Sequence, residues 1–261
     1  MIKTNQSLNG KHALVTGGSR GIGFAIAQAL LQQGARVTLV ARSLGALQLA
    51  VEQLSPLGQV QALALDVTDN DAVIAVFDQA VQQFGTIDIL INNAGQAHSA
   101  AFLKTAPAVF QNMFAVNVNS VVACTQAVLP AMLQQRWGRI VNVASTAAST
   151  GYAYVSAYCA AKHAVLGLTR ALALEVAQQG VTVNAVSPGF TETDMLENTV
   201  ANIVAKTGRT PEQARTALAA NNPQGQLIQP EQVAHAVIWL CMPAAAAMNG
   251  QSISVDGGEL M

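Results

Sequence analysis

Three side chains in one stretch have the types and spacing for proton transfer: Ser145, Tyr158 and Lys162. Ser145 stands where the apolar run Arg139-Ile-Val-Asn-Val-Ala gives out, and Tyr158 and Lys162 follow inside an alanine-rich segment that reads as a helix. Helix positions four apart lie one above the other, so the phenol and the ammonium share a face. A free phenol, with a reference pKa of roughly 10, is a poor acid or base near neutrality. A cation held beside it favours the phenolate and draws that value toward the working range. Ser145 can bring a hydroxyl to the same spot. Together the three would polarise a carbonyl and deliver or remove one proton. Reducing a ketone also takes a hydride, which the rest of the chain must provide. Without that support, a Tyr-x-x-x-Lys pair is more often a helix-surface contact.

The elements that position these residues alternate. A strand at 11–16 leads into a glycine loop, then a helix at 24–31 with Gly34 as its C-terminal cap. Strands at 37–41, 60–65 and 87–91 alternate with helices near 43–55 and 69–84. A long helical stretch runs from about 107 to 135, and Pro130 is expected to break or kink its last turn. A strand at 139–144, the Tyr158 helix to about 178 and a strand at 181–186 follow. After a less regular segment from 188 to 229 come a helix at 231–240 and a last strand at 252–255. This pattern predicts an α/β fold: a single-domain, doubly wound (Rossmann-type) parallel sheet of about seven strands, with helices on both faces. No linker, low-complexity stretch or solenoid repeat divides residues 1–261.

The totals agree with that architecture. The 261 residues are 51% hydrophobic and 10% charged, enough to fill a core and sparse enough in charge to suggest surface hidden between subunits. Net charge is −1, which gives no basic field for nucleic acid or an anionic membrane. The first residues lack a signal-peptide core, and the apolar stretch at 160–177 is broken by Lys162, His163, Arg170 and Glu175. Cys124, Cys159 and Cys241 read as buried thiols in a reducing compartment, which points to the cytoplasm. The histidines show no metal-ligand spacing, so no catalytic metal is expected.

Between the first strand and the first helix lies Gly17-x-x-x-Gly21-x-Gly23. Glycines at this place permit a tight turn and let a pyrophosphate approach the N–H groups at the helix's positive end. The loop carries no lysine of the Gly-Lys-Ser/Thr kind, so a dinucleotide fits better than a mononucleotide triphosphate.

Taken in order, Thr16-Gly-Gly-Ser-Arg-Gly-Ile-Gly23, Asn92-Asn-Ala-Gly95, Asn117, Ser145, Tyr158-x-x-x-Lys162 and Pro188-Gly189 resemble the motif set of the short-chain dehydrogenase/reductase family. The likeness spans about residues 8–258. It implies that Tyr158 is the general acid or base, and that Lys162 lowers its pKa and bonds the nicotinamide ribose. Ser145 would orient the carbonyl, and Asn117 would position a water linking the lysine to solvent. The same likeness places Gly17, Ser19, Arg20, Gly21, Ile22 and Gly23 around the phosphates, and Asn93, Ala94 and Gly95 beside the ribose. Asp66 and Val67 would contact adenine, although Asp66 is also suited to capping the next helix. Pro188, Gly189 and Thr191 would hold the carboxamide, with Thr193 near the phosphates.

The second strand ends Val40-Ala41-Arg42-Ser43, without the carboxylate that NAD-specific sheets use on the ribose hydroxyls. Arg42 can fork onto a 2′-phosphate and Arg20 can approach it from the glycine loop, so the expected cofactor is NADP(H), with NAD(H) the alternative. Residues 190–229 fall where the family places its substrate-covering loop. There Lys206 and Arg209 either meet a phosphate-bearing substrate or lie on a solvated face, and Thr210-Pro-Glu-Gln begins like a capped helix.

Within the family the likeness is greatest to ketoreductases of β-ketoacyl thioesters and polyketides. Arg136 matches one arginine that carrier-protein reductases commonly keep, but Leu174 stands where the second falls. The expected reaction is reduction of a 3-oxoacyl thioester, on CoA or carrier protein, or of a similar β-keto compound. The alternatives are a dehydrogenase of a free aryl, sugar or steroid alcohol, or a non-catalytic nucleotide sensor. The resemblance also implies a homotetramer.

Overall fold

The computed structural model describes residues 7–261. Among them the chain forms one seven-stranded sheet of β1 (His12–Thr16), β2 (Arg36–Ala41), β3 (Val60–Ala64), β4 (Ile89–Asn92), β5 (Gly138–Val143), β6 (Val181–Pro188) and β7 (Ser252–Val255). All neighbours pair in parallel, in the order β3-β2-β1-β4-β5-β6-β7. Every residue of β1, β4, β5 and β6 is buried, as expected for strands covered on both faces. The order reverses between β1 and β4, which opens a crevice at the strands' carboxyl ends.

The pleat divides the core. Ala13, Val15, Val37 and Leu39 face α1 (Gly21–Gln32), α2 (Leu44–Leu54) and α9 (Pro230–Cys241). Leu14, Val40, Leu90 and Ile140 face α3 (Asn70–Phe84), α5 (Ser120–Gln134) and α6 (Ser156–Val176). Ahead of α5 lies α4 (Pro107–Phe114), whose Met113 packs against Ala157 and Ala161 of α6.

A buried polar ladder anchors α6 to this sheet. Asn92 and Asn142 are register partners, and the Asn92 amide donates to Asn142 Oδ1 at 2.9 Å. The Asn142 amide in turn donates to Thr169 Oγ1 at 2.9 Å. Directional bonds in a dry interior specify one arrangement where apolar contact alone tolerates sliding. Thr169 lies two turns beyond Lys162, so the ladder also sets where Tyr158 and Lys162 point.

Two expectations need correction. Pro130 does not break its helix: α5 continues to Gln134, because the one N–H bond that proline forgoes is outweighed by Val128 and Met132, which bury against the sheet on either side of it. The interruption comes earlier, as a π-turn at Ala115–Asn119. The less regular stretch at 188–229 contains α7 (Asp194–Thr207) and α8 (Pro211–Ala219). Thr210 closes a full capping box with Gln213 at the start of α8. These helices bury Leu196, Val200, Ala214 and Leu218 on one another in a small separate cluster, so their apolar signal is thin.

The continuous helix Pro107–Gln134 has a mean hydropathy of 1.4 and is long and apolar enough to cross a membrane. Here its apolar residues Cys124, Val128 and Met132 are spent on the sheet.

Candidate active site

The carboxyl ends of β4, β5 and β6 and the first turns of α6 converge on one place. Ser145 follows β5 in extended backbone and starts the tight turn Thr146–Ala148, where its Oγ accepts from Ala147 N at 3.1 Å. The Tyr158 hydroxyl is hydrogen-bonded to Ser145. Lys162 is only 5% exposed; its Nζ donates to Val143 O at 2.8 Å and stands 5.7 Å from the Tyr158 ring centroid.

The electrostatics differ from the expectation that lysine draws the phenol down. Burial pushes Tyr158 above its ordinary value, and the Ser145 bond opposes this only in part. Burial also lowers Lys162 to about 8. A dry site penalises both charged forms, and the ammonium is committed to a backbone carbonyl. The phenol is therefore held protonated, the form that donates a proton to a carbonyl.

Asn117 is buried inside the π-turn. Its amide donates to Gln96 O and Met113 O at 3.0 Å each, and its Oδ1 accepts from Gln96 N at 3.3 Å. A Cβ added at Gly95 would stand 2.9 Å from Asn117 Oδ1 and 3.7 Å from Lys162 Nζ. The widened turn thus brings the asparagine's oxygen and the lysine to one small space beside Gly95. Its polar kink and its place in the site are one feature.

The glycine loop is packed from beneath. Gly17 has φ of +64°, and the Asn93 amide donates to Thr16 O at 2.9 Å and Gly17 O at 3.1 Å. Thr16 Oγ1 accepts from the N–H groups of Asn93 and Ala94 at 2.9 Å each, stapling β1 to the β4 exit. Ser19 and Ile22 are half-buried in the same loop, and the first turn of α1 carries no acidic residue to oppose an anion. Thr16 is a supporting residue that its place in the glycine motif could have flagged.

The remaining predicted residues ring this cradle unevenly. Arg42 is exposed at the end of β2 and acts electrostatically on Asp66. Asp66 turns onto the Thr68 N–H and hydroxyl, at 3.0 and 2.8 Å, and the true cap of α3 is Asp69. Val67 is buried in the core beside Val40. Arg20, expected at a 2′-phosphate, instead pairs with Asp194 at 2.7 Å, with both side chains largely exposed.

After β6, Thr191 Oγ1 donates to Gly189 O at 2.9 Å, and Thr193 reaches over Gly21, where a Cβ would meet its methyl at 3.1 Å. The segment beyond is locked by Arg215, which pairs with Glu192 at 2.8 Å and with Glu197. That arginine carried no motif signal. Lys206 sits in the last turn of α7, where a cation suits the helix end, and Arg209 is exposed. Arg136 adopts φ of +52° and donates to Gln178 O at 3.0 Å, while Leu174 is 81% exposed.

Residues 11–203 match the family model described as short chain dehydrogenase. The chain is 39% identical over 255 residues to 3-oxoacyl-[acyl-carrier-protein] reductase FabG of Vibrio cholerae, covering 98% of this chain and 99% of the relative. It is 38% identical over 255 residues to D-beta-hydroxybutyrate dehydrogenase of Cupriavidus necator, covering 96% and 98%. The crystal structure of a variant of actinorhodin polyketide ketoreductase with NADPH matches with a TM-score of 0.93 at 36% identity, covering 95% of this chain and 97% of that one. The ordered motifs, their meeting at the sheet's crevice and near full-length likeness agree: this chain belongs to the short-chain dehydrogenase family.

Proposed function

We propose that this protein is an NADP(H)-dependent reductase of 3-oxoacyl thioesters or closely similar β-keto compounds. The observation that carries the reading is Tyr158, kept protonated beside Ser145 and Lys162 at the mouth of a glycine-lined nucleotide cradle. The names of the relatives, two of them reductases of 3-oxoacyl or polyketide substrates, support the substrate class.

The residues present fit the cofactor. Gly17, Ser19, Gly21, Ile22 and Gly23 would hold the pyrophosphate against the α1 N-terminus, with Thr193 closing over it. Arg42 would take the 2′-phosphate, since β2 ends in Ala41 with no carboxylate to repel it. With Arg20 turned to Asp194, the NADP(H) reading rests chiefly on Arg42. Asp66 and Val67 would flank the adenine, Asn93, Ala94 and Gly95 the ribose, and Pro188, Gly189 and Thr191 the carboxamide. The actinorhodin enzyme crystallised with NADPH supports the same choice.

Bound NADPH supplies the hydride. Ser145 donates a hydrogen bond to the carbonyl oxygen, and Tyr158 gives that oxygen its proton as negative charge builds there. Lys162 stabilises the phenolate left behind, and Asn117 opens a proton route toward solvent past Gly95.

Residues 190–229 cover the substrate in this reading, on a single domain spanning 1–261. The exposed Leu174, and an Arg136 occupied with Gln178, favour CoA or free esters over carrier-bound substrate. Three unpaired, buried cysteines favour a cytoplasmic setting, and the sparse surface charge with exposed Phe102, Leu103 and Trp239 favours a homotetramer.

Following nicotinamide absorbance with acetoacetyl-CoA and NADPH tests the reaction directly. Tyr158→Phe should lose ~100- to 10,000-fold in turnover while NADPH binding survives. Retention of more than about a tenth of wild-type turnover would remove Tyr158 from the donor's role.

A further inference from the structure

One half-buried hydrogen-bonded node takes no part in the proposed proton transfer. Tyr152, six residues before the catalytic tyrosine, places its hydroxyl 2.7 Å from Thr146 Oγ1 and 2.6 Å from Glu259 Oε1. A phenol has one proton, and the shorter bond runs to the carboxylate. Tyr152 therefore donates to Glu259 and accepts from the Thr146 hydroxyl, a chain in which each bond polarises the next. Thr146 is buried and directly follows Ser145.

Glu259 comes from the far end of the chain and is braced there. Asp256 Oδ1 accepts from Gly258 N at 3.0 Å and Oδ2 from Leu260 N at 3.2 Å, closing a tight terminal turn. Gly257, at φ of +63°, lies so close to Asn222 that a Cβ would fall 2.0 Å from its side-chain oxygen. Glu259 Oε2 stands 3.0 Å from where a Cβ on Gly189 would be. On its other side the Tyr152 ring meets Phe190 edge-on at a centroid distance of 6.0 Å, and Phe190 packs against the α7–α8 cluster.

We propose that Glu259 is a positioning residue for carbonyl reduction: it holds Tyr152, and through the Thr146 hydroxyl Tyr152 fixes the turn that aims Ser145. The proposal rests on the reductase reading given above. It accounts for a carboxylate kept where burial and Asp256 raise its pKa, a cost that an apolar wall would not carry. It also gives the C-terminal turn a function: the turn joins the catalytic serine to the root of the covering segment at one side chain. Catalysis is sensitive to displacements of this kind, since an error of ~1 Å in a reacting group can cost ~100-fold.

The test uses the full-length protein with Glu259→Ala, Tyr152→Phe, both together, and Glu259→Gln. Each of the first two should lower kcat for acetoacetyl-CoA about tenfold with the NADPH dissociation constant unchanged. The double variant should be no worse than either single one, because both cut the same chain. Glu259→Gln, whose amide oxygen still accepts from Tyr152, should recover most of the loss. Hydrogen exchange at the Ala147 amide, which is bonded to Ser145 Oγ, should quicken about tenfold in both single variants. Additive losses, or an unchanged Ala147 exchange rate, would overturn the proposal. A wild-type protein inactive on every carbonyl tried would count against the reductase reading, whereas the exchange measurement needs no turnover and still decides the positioning role.

Discussion

Replacing Lys162 with methionine should abolish turnover, cost the cofactor-free protein little or no stability near neutral pH, and shift the stability margin with pH in a calculable way. Lys162 is buried and its pKa is lowered from 10.5 to about 8. At about 1.4 kcal/mol per unit, this withholds about 3 kcal/mol from the folded state once both forms are protonated. Methionine removes that charge and keeps much of the volume. It also strips the bond to Val143 O, and an unpaired buried carbonyl costs about 1–3 kcal/mol. The two nearly cancel, so the variant should lie between equal stability and a gain of about 2 kcal/mol at about pH 7. The folded protein binds the lysine proton more weakly than the unfolded chain does. Wild-type stability therefore rises as pH climbs from the folded pKa toward the unfolded one. From about pH 7 to about pH 9.5 the wild type should gain about 2 kcal/mol on the variant. Urea denaturation of both proteins across that range, followed by the fluorescence of Trp137 and Trp239, measures the difference. A margin that does not move with pH would refute the claim that burial of this charge strains the fold.

Ala41→Asp with Arg42→Ala should move cofactor preference from NADPH toward NADH by ~100-fold or more, read as the ratio of the two kcat/KM values. Gly23→Ala should weaken NADPH binding at least tenfold and lower Tm, since the new methyl would fall 2.3 Å from Gly17 O and 2.5 Å from the Asn93 amide. His12 is buried, with Nδ1 2.7 Å from Gly85 O and Nε2 2.8 Å from Thr38 Oγ1, and burial lowers its pKa below 6.5. The unfolded chain thus takes up this proton first, and the His12 contribution to stability should be lost as pH falls below 6.5; His12→Gln should flatten that acid limb in a series of Tm measurements. Acetoacetyl-CoA should be reduced about as well as the same acyl group on carrier protein, and Arg136→Ala should leave both rates unchanged; a preference for the carrier that vanishes in that variant would reverse this reading.

The parallel sheet was legible because its strands are short, nearly continuous apolar runs between turn residues and alternate with helices. The meeting of Ser145, Tyr158 and Lys162 was legible because Ser145 follows a strand's end and the other two sit one helical turn apart, whereas the π-turn that brings Asn117 to Gly95 leaves no mark in the spacing. The covering helices were not: α7 and α8 bury few apolar side chains and lean on Arg215, whose partners Glu192 and Glu197 carry no pattern a sequence reader could join. The electrostatics were read only in part. Spacing brings Lys162 under Tyr158, but it says nothing of the desolvation that governs both pKa values. Arg20 was placed correctly in the loop, yet its pairing with Asp194 joins elements far apart in the chain. Glu259 and Tyr152 are 107 positions apart, and only the folded chain introduces them.

The π-turn at Ala115–Asn119 fixes how this stretch of chain can change in length. It holds one residue more than regular α-helix would fit into the same rise. Removing a single residue there would let the helix close into an unbroken α form, with the turns on either side still presenting the same faces. The local widening that carries Asn117 Oδ1 to the space beside Gly95 and Lys162 would be lost, while helix content hardly changed. An in-frame loss of one codon between 115 and 119 should therefore leave a protein that folds and keeps its glycine cradle but lacks the proton route proposed for Asn117.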